Sequence, residues 1–273
     1  MKAAAFDYTR PDDVSGALRD LTGDQGQAKA FGGGQSLGPM LNLRLARPKL
    51  VVDVSRLAEL RTIEDKGDCW RIGGAVTHSA IEDAKMPGCE PMPQVARGIA
   101  YRIIRNRGTI GGSMAHADPA ADWPLALPAL GATMVLAGPP GERRVSADQF
   151  MKGAFATALA ENELIVAVEV PRLSASARWG YWKFCRKTGE FPEASAALLL
   201  DPVRRLASLW VGALDGAPQP LRALAADLAQ RGSLAATERA VGQALDAVAP
   251  GLDPVMRKLH VTAVRRAVQI ALG

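Results

Sequence analysis

The chain has 273 residues, 48% of them hydrophobic and 22% charged, which is enough apolar material to close one large domain or two modest ones. Its net charge of +5 is dispersed among acids, so there is no basic stripe for nucleic acid, and no run of about 18 apolar residues suits a membrane-spanning helix. Cys69, Cys89 and Cys185 are too few and too scattered for an iron–sulfur cluster or a disulfide framework. They read as free thiols of a cytoplasmic protein, and Met1 to Asp7 lacks the long apolar stretch of a signal peptide.

In chain order, Pro11 to Leu21 is expected to be helical, with Asp12 and Asp13 favourable at its start. Lys29 to Phe31 is a short strand running into Gly32-Gly33-Gly34-Gln35-Ser36. Leu37, Met40, Leu41 and Leu45 then recur at helical spacing before Pro48, and Leu50 to Val54 is a buried strand. Asp65-Lys66-Gly67-Asp68 turns a hairpin between Leu60–Ile63 and Trp70–Ile72. Ser79 and Glu82 have the spacing of a capping box at a helix start. Pro91 to Ile104 reads as a helix broken at Gly98, and Thr109-Ile110-Gly111-Gly112-Ser113 is a second glycine loop. A helix over Ala120–Leu130, a strand over Ala132–Ala137, a turn at Pro139–Gly141 and an alternating strand over Leu164–Val170 follow.

Beyond Pro171 the texture changes. Arg178–Arg186, Ala194–Leu200 and Leu206–Leu214 read as three strands of an antiparallel sheet. Leu221–Leu228, Leu234–Val248 and Pro254–Leu272 read as three helices, the last with Val255, Leu259, Val264, Val268 and Leu272 as its buried stripe.

The two glycine loops carry the chemistry. Glycine admits positive φ and lets a ligand approach the backbone, and successive amides can form an anion-binding nest. Two such loops suit a ligand with two phosphates, with hydroxyls at Ser36, Thr109 and Ser113 as further donors. Neither loop has the dinucleotide-binding G-x-G-x-x-G spacing, and no Walker loop occurs. Plain structural turns are the alternative for each loop. The concentrated bases Arg102, Arg105 and Arg107 could attract phosphate or form a solvated face. Gly34-Gln35-Ser36-Leu37-Gly38 also matches a nucleophile elbow, with Asp53 or Asp122 and His116 or His260 available as partners. Only about 30 residues precede Ser36, too few for the strands that normally come before such an elbow. His78 and His260 have no companions at metal-ligand spacing, so no protein-bound metal is expected.

Phe31 to Leu37, Arg105 to Ser113 and His116-Ala117-Asp118-Pro119-Ala120-Ala121-Asp122, together with Trp179 to Glu190, resemble the FAD-binding medium subunit of the molybdenum hydroxylases. That family includes carbon monoxide dehydrogenase, xanthine dehydrogenase and bacterial N-heterocycle dehydrogenases. The resemblance spans nearly the whole chain and implies an α+β fold. A vanillyl-alcohol-oxidase-type (PCMH-type) FAD domain would occupy residues 1–173, as subdomains of about 1–57 and 58–173. A smaller domain with a three-stranded antiparallel sheet and a three-helix bundle would occupy 174–273.

The resemblance also implies an electron-transfer role for FAD. A large molybdopterin-binding subunit and a small [2Fe-2S] subunit would be the partners, as a dimer of heterotrimers. The cofactor residues it implies begin with Ala30, Phe31, Gly32, Gly33, Gly34, Gln35, Ser36 and Leu37, with Thr109, Ile110, Gly111, Gly112 and Ser113 opposite. His116 would help order the loop, Asp122 would accept from ribose hydroxyls, Ile99 and Ile165 would be apolar contacts, and Lys183 would stand near the flavin. Tyr181 and Trp182 should face opposite sides of their strand. Gly32 departs from the family, where many members have alanine. A self-sufficient flavin oxidase and a hydrolase using Ser36 are the rival functions.

Overall fold

The computed structural model describes residues 2–23 and 26–273; Met1, at the head of the N-terminal segment read above, lies outside them. Three short strands open the fold: β1 (Asp7–Thr9), β2 (Ala28–Phe31) and β3 (Leu50–Asp53), in parallel order β1-β3-β2. Helix α1 (Val14–Gly23) joins β1 to β2, and α2 (Leu37–Asn42) follows the first glycine loop. Parallel neighbours need such crossovers, and the helices supply them.

The second layer is an antiparallel sheet in the order β4-β5-β10-β6-β7. Its members are β4 (Ile63–Asp65), β5 (Cys69–Gly73), β6 (Thr133–Gly138), β7 (Gly141–Ser146) and β10 (Leu164–Pro171), which comes after the small hairpin of β8 (Met151–Gly153) and β9 (Ala156–Thr157). The expected β4–β5 hairpin forms at Lys66–Asp68, with Gly67 at φ +88° where a side chain would be strained. Helices α3 (His78–Asp83), α4 (Pro91–Gly98), α5 (Arg102–Arg105), α6 (Ile110–His116), α7 (Asp122–Ala129) and α8 (Ala147–Phe150) run between β5 and β8. One face of the sheet packs on these helices through Ile72, Met92, Met114, Leu127 and Leu136. Val135 and Val166 turn the other way, onto Ala17, Leu21 and Val52 of the parallel unit.

The last layer is a four-stranded sheet, β11 (Arg178–Phe184), β12 (Ala194–Asp201), β13 (Leu206–Gly212) and β14 (Gln219–Pro220). The three-stranded sheet expected from sequence is therefore corrected by one strand, because β14 has two residues and one is proline, leaving no period to read. Helices α9 (Arg222–Arg231), α10 (Glu238–Val248) and α11 (Pro254–Leu272) form a layer on this sheet rather than a separate bundle. The apolar residues of β11–β13 need a cover, and α11 lies across β11 and β12, α9 against β13, and α10 on α11.

Strand β12 is buried at all eight positions, with α7 on one face through Leu125, Ala129 and Ala197 and α11 on the other. The stripe expected on α11 shifts accordingly. Val255 is 68% exposed, whereas Val261, Val264, Ala267, Val268 and Ala271 are buried. The capping box is also corrected: Thr77 caps α3 by accepting from the Ala80 amide at 3.2 Å, and Ser79 lies within the first turn. Among the described residues no helix is long and apolar enough to cross a membrane.

Candidate functional site

The glycine loops, some 75 residues apart in sequence, touch in space. A Cβ built on Gly33 would lie 1.9 Å from the Arg107 carbonyl oxygen and 2.8 Å from the Gly108 Cα, and one on Gly32 would lie 3.0 Å from Thr109 Oγ1. Only a residue without a side chain permits this approach at Gly33. The stack continues inward. A Cβ on Gly111 would meet the Gly74 carbonyl at 2.5 Å, and one on Gly74 would meet the Ile165 carbonyl at 1.9 Å, beside the register shift between Ile165 and Ala167 in the β10–β6 pairing. Part of the glycine content thus serves backbone-on-backbone packing, a role the sequence alone does not separate from ligand approach.

The loops differ in what they leave free. In the first, the amides of Gly33, Gly34, Gln35 and Ser36 and the Ser36 hydroxyl find no acceptor among the described residues, and Gly34 has φ +74°. Ala30 and Gln35 are exposed, Phe31 lays its ring against Gly34, and Leu37 opens α2 half-buried. The second loop spends four of its five amides within the protein. Ile110 donates to the Val76 carbonyl, Gly111 to Gly74, Ser113 to Thr109, and Gly112 to Thr109 Oγ1 at 3.1 Å. Thr109 is therefore the N-cap of α6, and the Ser113 side chain remains half-buried at its start. The first loop thus leaves a run of amides free, whereas in the second only the Thr109 amide finds no acceptor among the described residues.

Two of the three arginines before the second loop are committed. Arg102 pairs with Glu82 and Asp83, and Arg105, 9% exposed, pairs with Glu82 through Nε at 2.8 Å and Nη2 at 3.2 Å. They are not free to attract phosphate. Beneath the loop His78 is buried, donates its amide to the Gly108 carbonyl at 2.8 Å, and accepts from Trp123 Nε1 at 3.1 Å on Nδ1. Burial, with Arg105 nearby, pushes its pKa down to about 4, so the ring is neutral at pH 7.

Trp123 is followed back along α7 to Asp122, 6% exposed, at the helix start. Strand β11 delivers two donors to a single oxygen of Asp122: Tyr181 Oη at 2.5 Å and Lys183 Nζ at 2.6 Å. Lys183 Nζ also donates to the Gly98 carbonyl at 2.9 Å. Burial, and then Asp122, raise the Tyr181 phenol well above its ordinary pKa, so it stays a donor. Tyr181 packs toward the central core and Trp182 toward the helix layer, opposite sides as the alternation requires. Ile99 is half-buried on the central core, and Ile165 is 7% exposed within it. His116 packs against Phe155 with the rings tilted by 49° and their centroids 5.1 Å apart.

The elbow constellation does not assemble. Ser36 has no histidine partner among the described residues, Asp53 accepts from Tyr8 Oη and the Ser55 amide, and His260 sits between the Met256 and Gly212 carbonyls.

Residues 4–173 match the family model of the FAD binding domain in molybdopterin dehydrogenase. The chain belongs to that family. It is an oxidoreductase chain, and the paired loops lie within its FAD-binding domain. It is 38% identical over 204 residues to the nicotine 6-hydroxylase medium subunit of Paenarthrobacter nicotinovorans, covering 74% of this chain and 71% of that one. With the 6-hydroxypseudooxynicotine dehydrogenase complex subunit alpha of the same organism the identity is 34% over 259 residues, 93% of this chain and 87% of that one. A chain of reconstituted CO dehydrogenase from Oligotropha carboxidovorans superposes with a TM-score of 0.90 at 29% identity, covering 99% of each.

Proposed function

We propose that this chain is the FAD-carrying electron-transfer subunit of a cytoplasmic heterotrimeric molybdenum hydroxylase. Electrons would arrive from [2Fe-2S] clusters on a small partner and leave to an external acceptor, while the substrate is hydroxylated on a large molybdopterin-binding partner, in a dimer of heterotrimers. Residues 1–173 would be the PCMH-type FAD domain, with its subdomains meeting near residue 57, and 174–273 the family's C-terminal domain. The observation that carries this reading is that the amides of Gly33 to Ser36, where the two glycine loops abut, find no acceptor among the described residues. Medium subunits and a complex subunit among the relatives support the assembly.

The residues present fit the cofactor. Unpaired amides in a turn opened by glycines suit an anionic acceptor, and a pyrophosphate supplies one. FAD, when bound, accepts and passes on electrons. Ala30 to Leu37 would hold its pyrophosphate by backbone donors and the Ser36 hydroxyl. Thr109 to Ser113 would close the opposite side, chiefly through the Thr109 and Ser113 hydroxyls. Asp122 has its second carboxylate oxygen left to accept from sugar hydroxyls, because Tyr181 and Lys183 both take the first. Lys183 places a cation at the site, with Ile99 and Ile165 excluding water and His116 bracing the end of α6.

The purified chain should hold FAD that dithionite bleaches, while the substrate of the assembled enzyme leaves it oxidised until the cluster-bearing and molybdenum-bearing partners are added. Substrate turnover by the single chain would overturn the subunit reading in favour of a self-sufficient flavin oxidase.

A further inference from the structure

The connection between α4 and α5 is held in a way that ordinary packing does not require. Ala100 sits at φ +40°, left-handed backbone that a residue with a Cβ adopts at a cost. The three successive carbonyls of this turn all face cations. Gly98 accepts from Lys183 Nζ at 2.9 Å, and Ile99 and Ala100 accept from Arg105 Nη1 at 2.8 and 3.2 Å. Tyr101 then donates its phenol to the Thr188 carbonyl at 2.6 Å and lays its ring on Gly189. The turn is gripped from one side by a buried guanidinium and from the other by β11 and the loop after it.

Backbone strain persists only where its surroundings over-determine it, and such places cluster at functional sites. Here the surroundings connect to the site at two points. Lys183 shares its ammonium between Gly98 and Asp122. Arg105 ends the short helix that runs into the second loop, where the Arg107 and Gly108 amides both donate to the Ile104 carbonyl and Gly108 abuts Gly33. One planar guanidinium, fixed bidentately on Glu82, thus anchors both the strained turn and the approach to the loop.

We propose that Arg105 is a positioning residue of the cofactor site: it sets the Gly98–Tyr101 turn and the second glycine loop in register with each other. This rests on the FAD reading above. Lysine at 105 keeps the charge and one bond to Glu82 but cannot reach two carbonyls and both carboxylate oxygens together.

The test compares Arg105→Lys with the wild-type full chain in three readouts: thermal unfolding, amide hydrogen exchange, and FAD titration followed by the visible circular dichroism of the bound flavin. Exchange should quicken in both 98–101 and 108–113, FAD affinity should fall by about tenfold or more, and the flavin signal should change, with the melting temperature of the apoprotein nearly kept. Unchanged exchange in either segment overturns the clamp. Faster exchange with wild-type affinity and an unchanged flavin signal overturns the positioning role. Should Arg105→Lys fail to fold, Glu82→Gln, which keeps Arg105 but removes the carboxylate on which its guanidinium is fixed, takes its place under the same outcomes. A wild-type chain that takes up no FAD sinks the functional reading instead, and the exchange data still judge the clamp.

Discussion

His78 is kept neutral by burial, with its Nδ1 lone pair committed to Trp123. Its folded pKa of about 4 lies below the ordinary 6.5, so its contribution to stability is complete above pH 6.5 and is lost as pH falls through 4, because the unfolded chain takes the proton first. By pH 4.5 this amounts to about 2–3 kcal/mol. His78→Gln should lose less stability between pH 7 and 4.5 than the wild type, measured by urea unfolding at each pH. Glycines separate just as sharply. Gly33→Ala drives a Cβ into the Arg107 carbonyl and should cost about 2–3 kcal/mol together with flavin retention. At Gly38 in α2 a Cβ meets nothing within 4 Å, so Gly38→Ala should be neutral or up to about 1 kcal/mol stabilising. Ser36→Ala should leave unfolding unchanged, since its hydroxyl caps nothing, yet weaken FAD binding by about 1.5–3 kcal/mol in a titration.

At the level of elements, those with a plain signal were legible in the residues: α7 from its apolar run, the β4–β5 hairpin from its Asp-Lys-Gly-Asp turn, β10 from its alternation and β12 from its apolar stretch. Strands β1, β7, β8, β9 and β14 and helix α8 span two to six residues and hold their shape through neighbours, so no period announces them. For the site, the loops, Asp122 and Lys183 could be named from motif resemblance. That the second loop spends its amides on Val76, Gly74 and Thr109 could not, because two of those acceptors lie more than 30 residues away. Arg105 carried a misleading signal, its neighbours suggesting a phosphate-binding cluster until Glu82, 23 residues earlier, took its charge. Close approach also sets the last helix. Gly180 brings α11 down so far that a Cβ there would stand 1.9 Å from the Ala267 carbonyl. Gly180→Ala should therefore lower stability by about 1–3 kcal/mol and quicken amide exchange in α11.

For the whole molecule, the pair Asp122–Lys183 ties β11 to the helices under the central sheet, with side chains only 6% and 16% exposed. Lys183→Met leaves a buried carboxylate without its counter-charge and should cost about 3 kcal/mol or more, while adding Asp122→Asn should restore much of that, a comparison that urea midpoints of the two variants decide. Leu125 and Ala129 lean on Ala197 in the same seam. The family model ends at residue 173, yet this seam is built from both sides of that point. Synthesis runs from the N-terminus, so on the ribosome Asp122 and the Gly98 carbonyl emerge well before Lys183 exists to meet them. The nascent chain thus carries a carboxylate whose counter-charge comes only with β11, and the seam cannot close before β12 and β13 have followed it.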